Sequence, residues 1–360
     1  MPVASGSDNA AERVLESARF ISEHSTDVSV PESGVRQAAA QITARMQSSG
    51  YSTAAWKTHT LTPSTADASA IEWIFVVDTL NFSFWSARAS PAEQYTVTLD
   101  GHAYRGYWSL CAAINRALRE SVEITRAAYY AGASTDQLAH VFRTDQPDLQ
   151  EPIPLLDQRV RALNEAGRVL LAKYGGKFAN VVAAAQGSAQ RLVELVVREF
   201  ACFRDEHEFQ GRRVALYKRA QILVADIWAC FEGRGLGRFD DIDRITMFAD
   251  YRVPQALCHF GALEYSPRLR EYLRRSEVAV RQGTRETQPP EPGMLPTGHA
   301  WELEIRGNSI WAVELIRRHM RAAGADVNAI LIDFYMWDYA KAHAEAMGAE
   351  PIHLTRSIYY

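Results

Sequence analysis

Residues 213–231 constrain the fold more than any other stretch. The segment predicts a helix, and Val214, Leu216, Tyr217, Ile222, Leu223, Val224, Ile227, Trp228 and Phe231 fall on nearly every side of it. A helix without a polar face has to be wrapped by other elements, so the expectation is a large, mostly helical protein around it. A chain of 360 residues, 47% of them hydrophobic, has the apolar material to do this. The polar exceptions are Lys218, Arg219, Gln221 and Asp226. Arg219 and Asp226 share a helical face, which makes a structural ion pair the expectation. Lys218 could instead reach an anionic group of a ligand. Gly233, Gly235 and Gly237 end this helix.

The glycines lead into Thr246-Met247-Phe248-Ala249-Asp250-Tyr251-Arg252-Val253-Pro254-Gln255. Pro254 suits the first turn of a helix and biases Val253 away from helical geometry, so Asp250 falls in a helix-to-helix turn. Two readings stay open. Asp250 caps the next helix, with its carboxylate at the positive end of the dipole. Alternatively it is a rigid carboxylate beside an aromatic, Phe248, that can stack on a flat ligand.

Elsewhere the pattern is again helical. Helices are expected at 12–21, then from Pro31 to a stop at Gly50, at 107–119, 155–174 and 188–200, and after Asn308. Gly175-Gly176 is a helix stop, because no GK[ST] follows. The apolar run 73–77 predicts a buried strand, and 301–306 alternates like one. Residues 95–99 and 102–106 flank Asp100-Gly101, a hairpin signature with a mirror-image turn. Residues 73–106 should therefore hold a small antiparallel β-sheet. Residues 281–299, rich in proline, predict a surface loop insertion. The domain organisation expected is a flexible start over 1–18 and one domain over 19–360, with two lobes as an option.

A net charge of −4 and only 5 Lys beside 34 Arg offer no clustered basic field, so direct nucleic-acid binding is not expected. Cys111, Cys202, Cys230 and Cys258 are far apart in apolar segments, without zinc spacing, and read as reduced core thiols. The first nine residues lack the order of a signal peptide, and no apolar run is long enough to cross a bilayer. A soluble cytoplasmic protein is expected. No G-x-S-x-G, H-E-x-x-H, dinucleotide fingerprint or kinase set is present, which disfavours the classes that need them.

Three further places hold candidate site residues. His59 sits in the irregular segment 56–63. Residues 78–85 pack three aromatics with Asp78 and Asn81, either an aromatic core corner or the wall of a pocket for a flat heterocycle. Asp333 and Asp338 lie in an aromatic helix, where burying acids is costly unless they are paired. Five residues apart, they stand roughly 140° around the helix and do not share a face squarely.

These stretches together resemble the queuosine salvage protein family, the queuosine 5′-phosphate N-glycosylase/hydrolases. The strings that carry the resemblance are DTLNFSFW (78–85), GYWSLCAAINR (106–116), YKRAQILVAD (217–226), ITMFADYRVPQ (245–255), EIRG (304–307), DFYMWDY (333–339) and the terminal SIYY (357–360). They run in one order from about residue 19 to the last. The resemblance implies a mostly helical fold like that of helix-hairpin-helix DNA glycosylases. It also implies cleavage of the bond joining queuine to ribose 5′-phosphate, without metal or organic cofactor. The family's catalytic aspartate falls on Asp250, and its queuine-contacting positions on His59, Phe248, Asp250, Asp333, Phe334 and Asp338. Lys218 and Arg219 are the first suspects for the 5′-phosphate. The partners implied are a small-molecule substrate, queuosine 5′-monophosphate, and its product queuine. The rival readings are a hydrolase of other purine nucleotides and a non-catalytic queuine or nucleotide binding module. The oligomeric state is not legible.

Overall fold

In the computed structural model, which describes residues 10–88, 90–282, 294–348 and 350–360, the apolar helix takes the central place. The helices are α1 (Ala10–His24), α2 (Glu32–Ser49), α3 (Ala68–Thr79), α4 (Tyr107–Arg119), α5 (Ala127–Tyr130), α6 (Thr135–Val141) and α7 (Leu156–Lys173). They continue with α8 (Phe178–Ala184), α9 (Ala189–Glu199), α10 (Lys218–Cys230), α11 (Val253–His259), α12 (Pro267–Gln282), α13 (Ala300–Ala322) and α14 (Ala329–Ala342). The strands are β1 (Val28–Ser29), β2 (Val97–Leu99), β3 (His102–Tyr104), β4 (Glu206–Phe209), β5 (Arg212–Ala215) and β6 (Glu264–Tyr265). Among the described residues they form three separate antiparallel pairs, β1–β6, β2–β3 and β4–β5. The fold class is thus mostly helical with small antiparallel sheets.

Helix α10 packs against α3 and α9, while α13 lies against α1, α2, α11 and α14. Two helical glycines permit close approaches between elements. A Cβ on Gly307 of α13 would stand 2.6 Å from Cγ2 of Ile21 on α1, and one on Gly34 of α2 only 1.8 Å from the carbonyl oxygen of Gly261. Backbone cannot retreat as a side chain can. Gly34→Ala is therefore expected to cost about 1–3 kcal/mol, read as a lower urea midpoint with an unchanged m-value.

Several expectations hold in detail. Pro31 precedes α2, and Gly50 closes it in the left-handed region, with φ of 61°. Asp100 and Gly101 take φ of 52° and 77°, the mirror-image turn of the β2–β3 hairpin. Gly175 and Gly176 follow α7 with φ of 59° and 75°. The four cysteines are free and buried. Among the described residues no helix is long and apolar enough to cross a membrane.

Others are corrected. Residues 73–77 are not a strand but the middle of α3, started by Asp67, whose carboxylate accepts from the amides of Ser69 (2.8 Å) and Ala70 (3.2 Å). A short apolar run looks the same whether it is a buried helix or a buried strand. The sheet expected over 73–106 accordingly reduces to the β2–β3 hairpin. Residues 301–306 are helical too, and Asn308 lies inside α13 instead of capping it. Their strand-like alternation arises because the charged positions are also internal. Glu302 bonds Arg306 at 3.1 Å, and Glu304 accepts from the amides of Asp27 (2.7 Å) and Val28 (3.0 Å).

The central helix begins at Lys218, not at residue 213. Residues 212–215 pair with β4, and Tyr217 turns the chain with φ of 47°. Residues 10–18 of the expected flexible start belong to α1, where Ala10, Val14 and Ala18 are buried; residues 1–9 lie outside the described residues. Most of the 281–299 loop, residues 283–293, also lies outside them.

The sequence strings meet in space at the C-terminus. The amide of Ser83 donates to the carbonyl oxygen of Tyr360 at 2.9 Å, and Trp85 Nε1 donates to the carbonyl of Thr355 at 2.9 Å. The terminal residues thus back the 78–85 segment from inside the protein.

Candidate active site

Residues 246–250 run through the interior without regular secondary structure. Their backbone groups still need partners, and buried polar side chains supply them. Gln221 Oε1 of α10 accepts from the Thr246 amide at 2.9 Å, and Asp333 Oδ2 of α14 from the Phe248 amide at 2.9 Å. Arg306 Nε of α13 donates to the carbonyl of Ala249 at 3.0 Å. Three helices therefore fix the segment that delivers Asp250.

Both readings of Asp250 turn out compatible. Its Oδ1 accepts from the amides of Arg252 and Val253, each at 2.8 Å, and so caps α11. Its Oδ2 takes no hydrogen bond among the described residues. One oxygen holds the side chain still and the other is left unbonded. Burial raises the pKa of Asp250 above the ordinary carboxylate value, opposed by the ammonium of Lys218 and the two capping amides.

Asp333 and Asp338 divide by depth, as their angular separation on α14 requires. Asp333 is buried, and burial together with the nearby charge of Asp250 pushes it well above the usual range, against the Phe248 amide and Lys218. Asp338 is exposed and accepts from the Tyr51 hydroxyl at 2.5 Å. Phe248 is buried and Phe334 half-buried, with ring centroids 6.0 Å apart and planes inclined at 54°. His59 stacks on Trp108 at 3.4 Å, nearly parallel at 4°. Burial and Lys341 both lower its pKa, which favours the neutral ring, and its Nδ1 accepts from the Leu61 amide at 3.2 Å. No hydrogen bond joins His59 to the carboxylates. It reaches α14 through aromatics instead, since Trp337 lies 6.3 Å from Trp108 and carries the Lys341 ammonium 4.3 Å above its ring.

Four carboxyls, of which Asp78, Asp226 and Asp333 are buried and Asp250 half-buried, share the field of one ammonium. Lys218 is buried at the first position of α10, and Asp250, Asp78 and Asp333 each raise its pKa while burial lowers it. Asp226 also feels Lys218. Arg219 does not belong to this group. Its guanidinium is fully buried and donates to the carbonyls of Asp78, Thr79 and Cys202, so the expected Arg219–Asp226 ion pair is not formed. Both Nη atoms are thus turned to backbone carbonyls, and Nε is buried without a partner. A cleft of about 930 Å³ between α1 and β4–β5, lined by Arg13, Glu16, Arg212 and Glu206 among others, contains none of the candidate residues.

Sequence reasoning missed Asp78 and Asp226 as members of this cluster. The signal was present, an acid at the end of the most apolar helix and another inside the central one. Asp78 Oδ1 accepts from Asn81 at 3.2 Å, but its Oδ2 is buried without a partner. Burial pushes Asp78 up to about 7 from 3.8, with Asn81, Lys218 and Arg219 opposing. Because the folded value lies above the unfolded one, the folded state holds this proton more tightly, and that advantage disappears as pH rises from about 4 to 7. Asp78→Asn, which has no proton to lose, is expected to gain about 4 kcal/mol over the wild type at pH 8 and almost nothing at pH 4. Urea midpoints at the two pH values check this; an equal shift at both would show that titration of Asp78 is not involved.

The profile of the queuosine salvage protein family matches residues 61–360. Queuosine 5′-phosphate N-glycosylase/hydrolase from Bos taurus is 46% identical over 354 residues, covering 96% of this chain and 98% of the relative. The protein of that name from Schizosaccharomyces pombe is 42% identical, covering 94% of each chain, and the one from Sphaerobacter thermophilus is 38% identical, covering 80% of each.

Proposed function

Because this chain belongs to the queuosine salvage protein family, we infer that it hydrolyses the N-glycosidic bond of queuosine 5′-monophosphate and releases queuine. The observation that carries the reading is the match, over nearly the whole length of both chains, to relatives named for that reaction. The chemistry of the site supports it.

Glycosidic cleavage develops positive charge on the ribose, and a fixed carboxylate beside the anomeric carbon stabilises that state. Asp250 is assigned this role. Its capped Oδ1 gives rigidity, and its free Oδ2 faces the developing charge or orients the attacking water. Queuine carries carbon where a purine has N7, so the leaving base has to be stabilised through other atoms. Its guanine-like N–H edge, aminomethyl cation and diol all suit carboxylates. Asp333 and Asp338 are assigned to recognition, Phe248 and Phe334 to the walls of the base pocket, and His59 to its outer edge. Lys218 is the cation available to the 5′-phosphate. No metal or organic cofactor enters this scheme.

The same proposal includes a helix-hairpin-helix-like core, supported by the succession of α10, a glycine-rich turn and α11 with Asp250 ahead of it. It treats residues 19–360 as one domain, supported by a hydrophobic core that draws on residues from α1 to α14. A cytoplasmic setting suits four free thiols.

The test is to incubate the purified protein with queuosine 5′-monophosphate, queuosine and guanosine 5′-monophosphate, following free base by mass-resolved chromatography. Queuine release that is fastest from the monophosphate is the expected result. Tight queuine binding with no release from any of the three would leave a binding module. Release of guanine at a comparable rate would make the protein a general purine nucleotide hydrolase.

A further inference from the structure

The Asp250 turn and the start of α10 are tied together by one buried cation. Arg306 is fully buried on α13. Its Nε donates to the carbonyl of Ala249, the residue before Asp250, at 3.0 Å. Its Nη1 donates to Asp205 Oδ1 and to Glu302 Oε1, both at 3.1 Å, and its Nη2 to Asp205 Oδ2 at 2.5 Å. The ring of the terminal Tyr360 covers the guanidinium, 4.2 Å from centroid to Cζ. Asp205 completes the link, since its Oδ2 also accepts from the backbone amide of Lys218 at 3.3 Å. His207 Nε2 lies 2.9 Å from its Oδ1.

One ion pair thus holds the carbonyl on one side of the site and the amide on the other. A buried pair of this kind is seldom more stabilising than apolar side chains of the same volume would be. What apolar side chains could not do is bond a carbonyl and an amide in fixed directions. The pair can: the guanidinium donates to the carbonyl and to the carboxylate at set angles, and the carboxylate accepts from the amide, whereas a lysine would present a single rotatable head.

We propose that Arg306 and Asp205 are positioning residues for the hydrolysis, their ion pair setting the carboxylate of Asp250 relative to the ammonium of Lys218. The proposal rests on the assignment of Asp250 made above. Neither residue touches substrate; they act through the backbone of Ala249 and Lys218. Displacing a reacting group by about 1 Å is enough to cost on the order of 100-fold in rate, so a small relaxation of this clamp is kinetically visible.

The experiment compares wild type with Arg306→Lys, which keeps the charge but not the fork. Steady-state turnover of queuosine 5′-monophosphate, queuine affinity by calorimetry, and amide exchange across residues 246–253 are measured on each. The expected result is a kcat lowered about 100-fold, with KM and queuine affinity within about threefold. Exchange should speed up at the Arg252 and Val253 amides that cap on Asp250, and not in α1 or α2. Unchanged kcat with unchanged exchange overturns the proposal. So does a variant in which queuine affinity, kcat and exchange throughout the fold deteriorate together, because that is a purely structural role. Should Arg306→Lys not fold, Asp205→Asn carries the same measurements, since it leaves the guanidinium its Glu302 partner. A wild type that releases no queuine defeats the functional reading itself, whereas an active wild type with an equally active variant defeats only the clamp.

Discussion

Asp250→Asn is expected to lower kcat for queuine release by about 10³-fold, roughly 4 kcal/mol of transition-state stabilisation. The substitution is nearly isosteric. An asparagine side-chain oxygen can keep accepting from the amides of Arg252 and Val253, so the cap of α11 and the turn survive. What disappears is the negative charge at Oδ2, the atom left without a hydrogen bond among the described residues. Queuine affinity should therefore stay within about fivefold, because Asp333 and Phe248, the groups proposed for recognition, remain bonded to each other. Single-turnover release followed by chromatography, beside calorimetric queuine binding, separates the two. Activity within tenfold of wild type would move the catalytic role to another buried carboxyl, with Asp333 the first to examine.

Lys218→Met should move the acid limb of the pH–rate profile to higher pH by one unit or more. The direction follows from the charges. The Lys218 ammonium lowers the pKa of Asp250, Asp78, Asp226 and Asp333, each of which burial raises. Removing it lets all four rise. At pH 7 a smaller fraction of Asp250 is then ionised, activity falls, and raising the pH restores part of it. Stability should change in the same sense. Carboxyls left without their cation prefer to be neutral, so the variant loses more at pH 8, on the order of 3 kcal/mol, than at pH 5. Initial rates from pH 5 to 9 with urea midpoints at both ends check the pair. An unmoved acid limb with a raised KM for the monophosphate alone would assign Lys218 to the phosphate and not to the ionisation of Asp250.

Local signals were read correctly where a few neighbouring residues decide the outcome. Gly50 ends α2 because a left-handed residue is needed there, and Asp100-Gly101 makes its turn because both residues tolerate positive φ. The same kind of reasoning failed at residues 73–77 and 301–306. An apolar run has no period to read, and an alternation of charged and apolar residues signals a strand only if the charged ones face water. In α13 they face partners inside the protein, and those of Glu304 and Arg306 include residues far away in the chain.

The candidate site divides along the same line. That Asp250 stands in a turn ahead of a helix, beside Phe248 and before Pro254, was legible in residues 246–255 alone. So was the angular offset that sends Asp333 inward and Asp338 to the mouth. That the cap occupies only one of the Asp250 oxygens was not legible there. Nor was it visible that both Nη atoms of Arg219 turn to backbone carbonyls while Lys218, its neighbour, sits among carboxylates. The sequence by itself determined several of the helices, some of their stops and the family to which the chain belongs, because those depend on spacings of a few residues and on long matching strings. Only the tertiary structure decided which buried charges meet. That depends on the packing of α3, α10, α13 and α14 around an irregular segment whose backbone has no strand to bond, and which takes Gln221, Asp333 and Arg306 in its place.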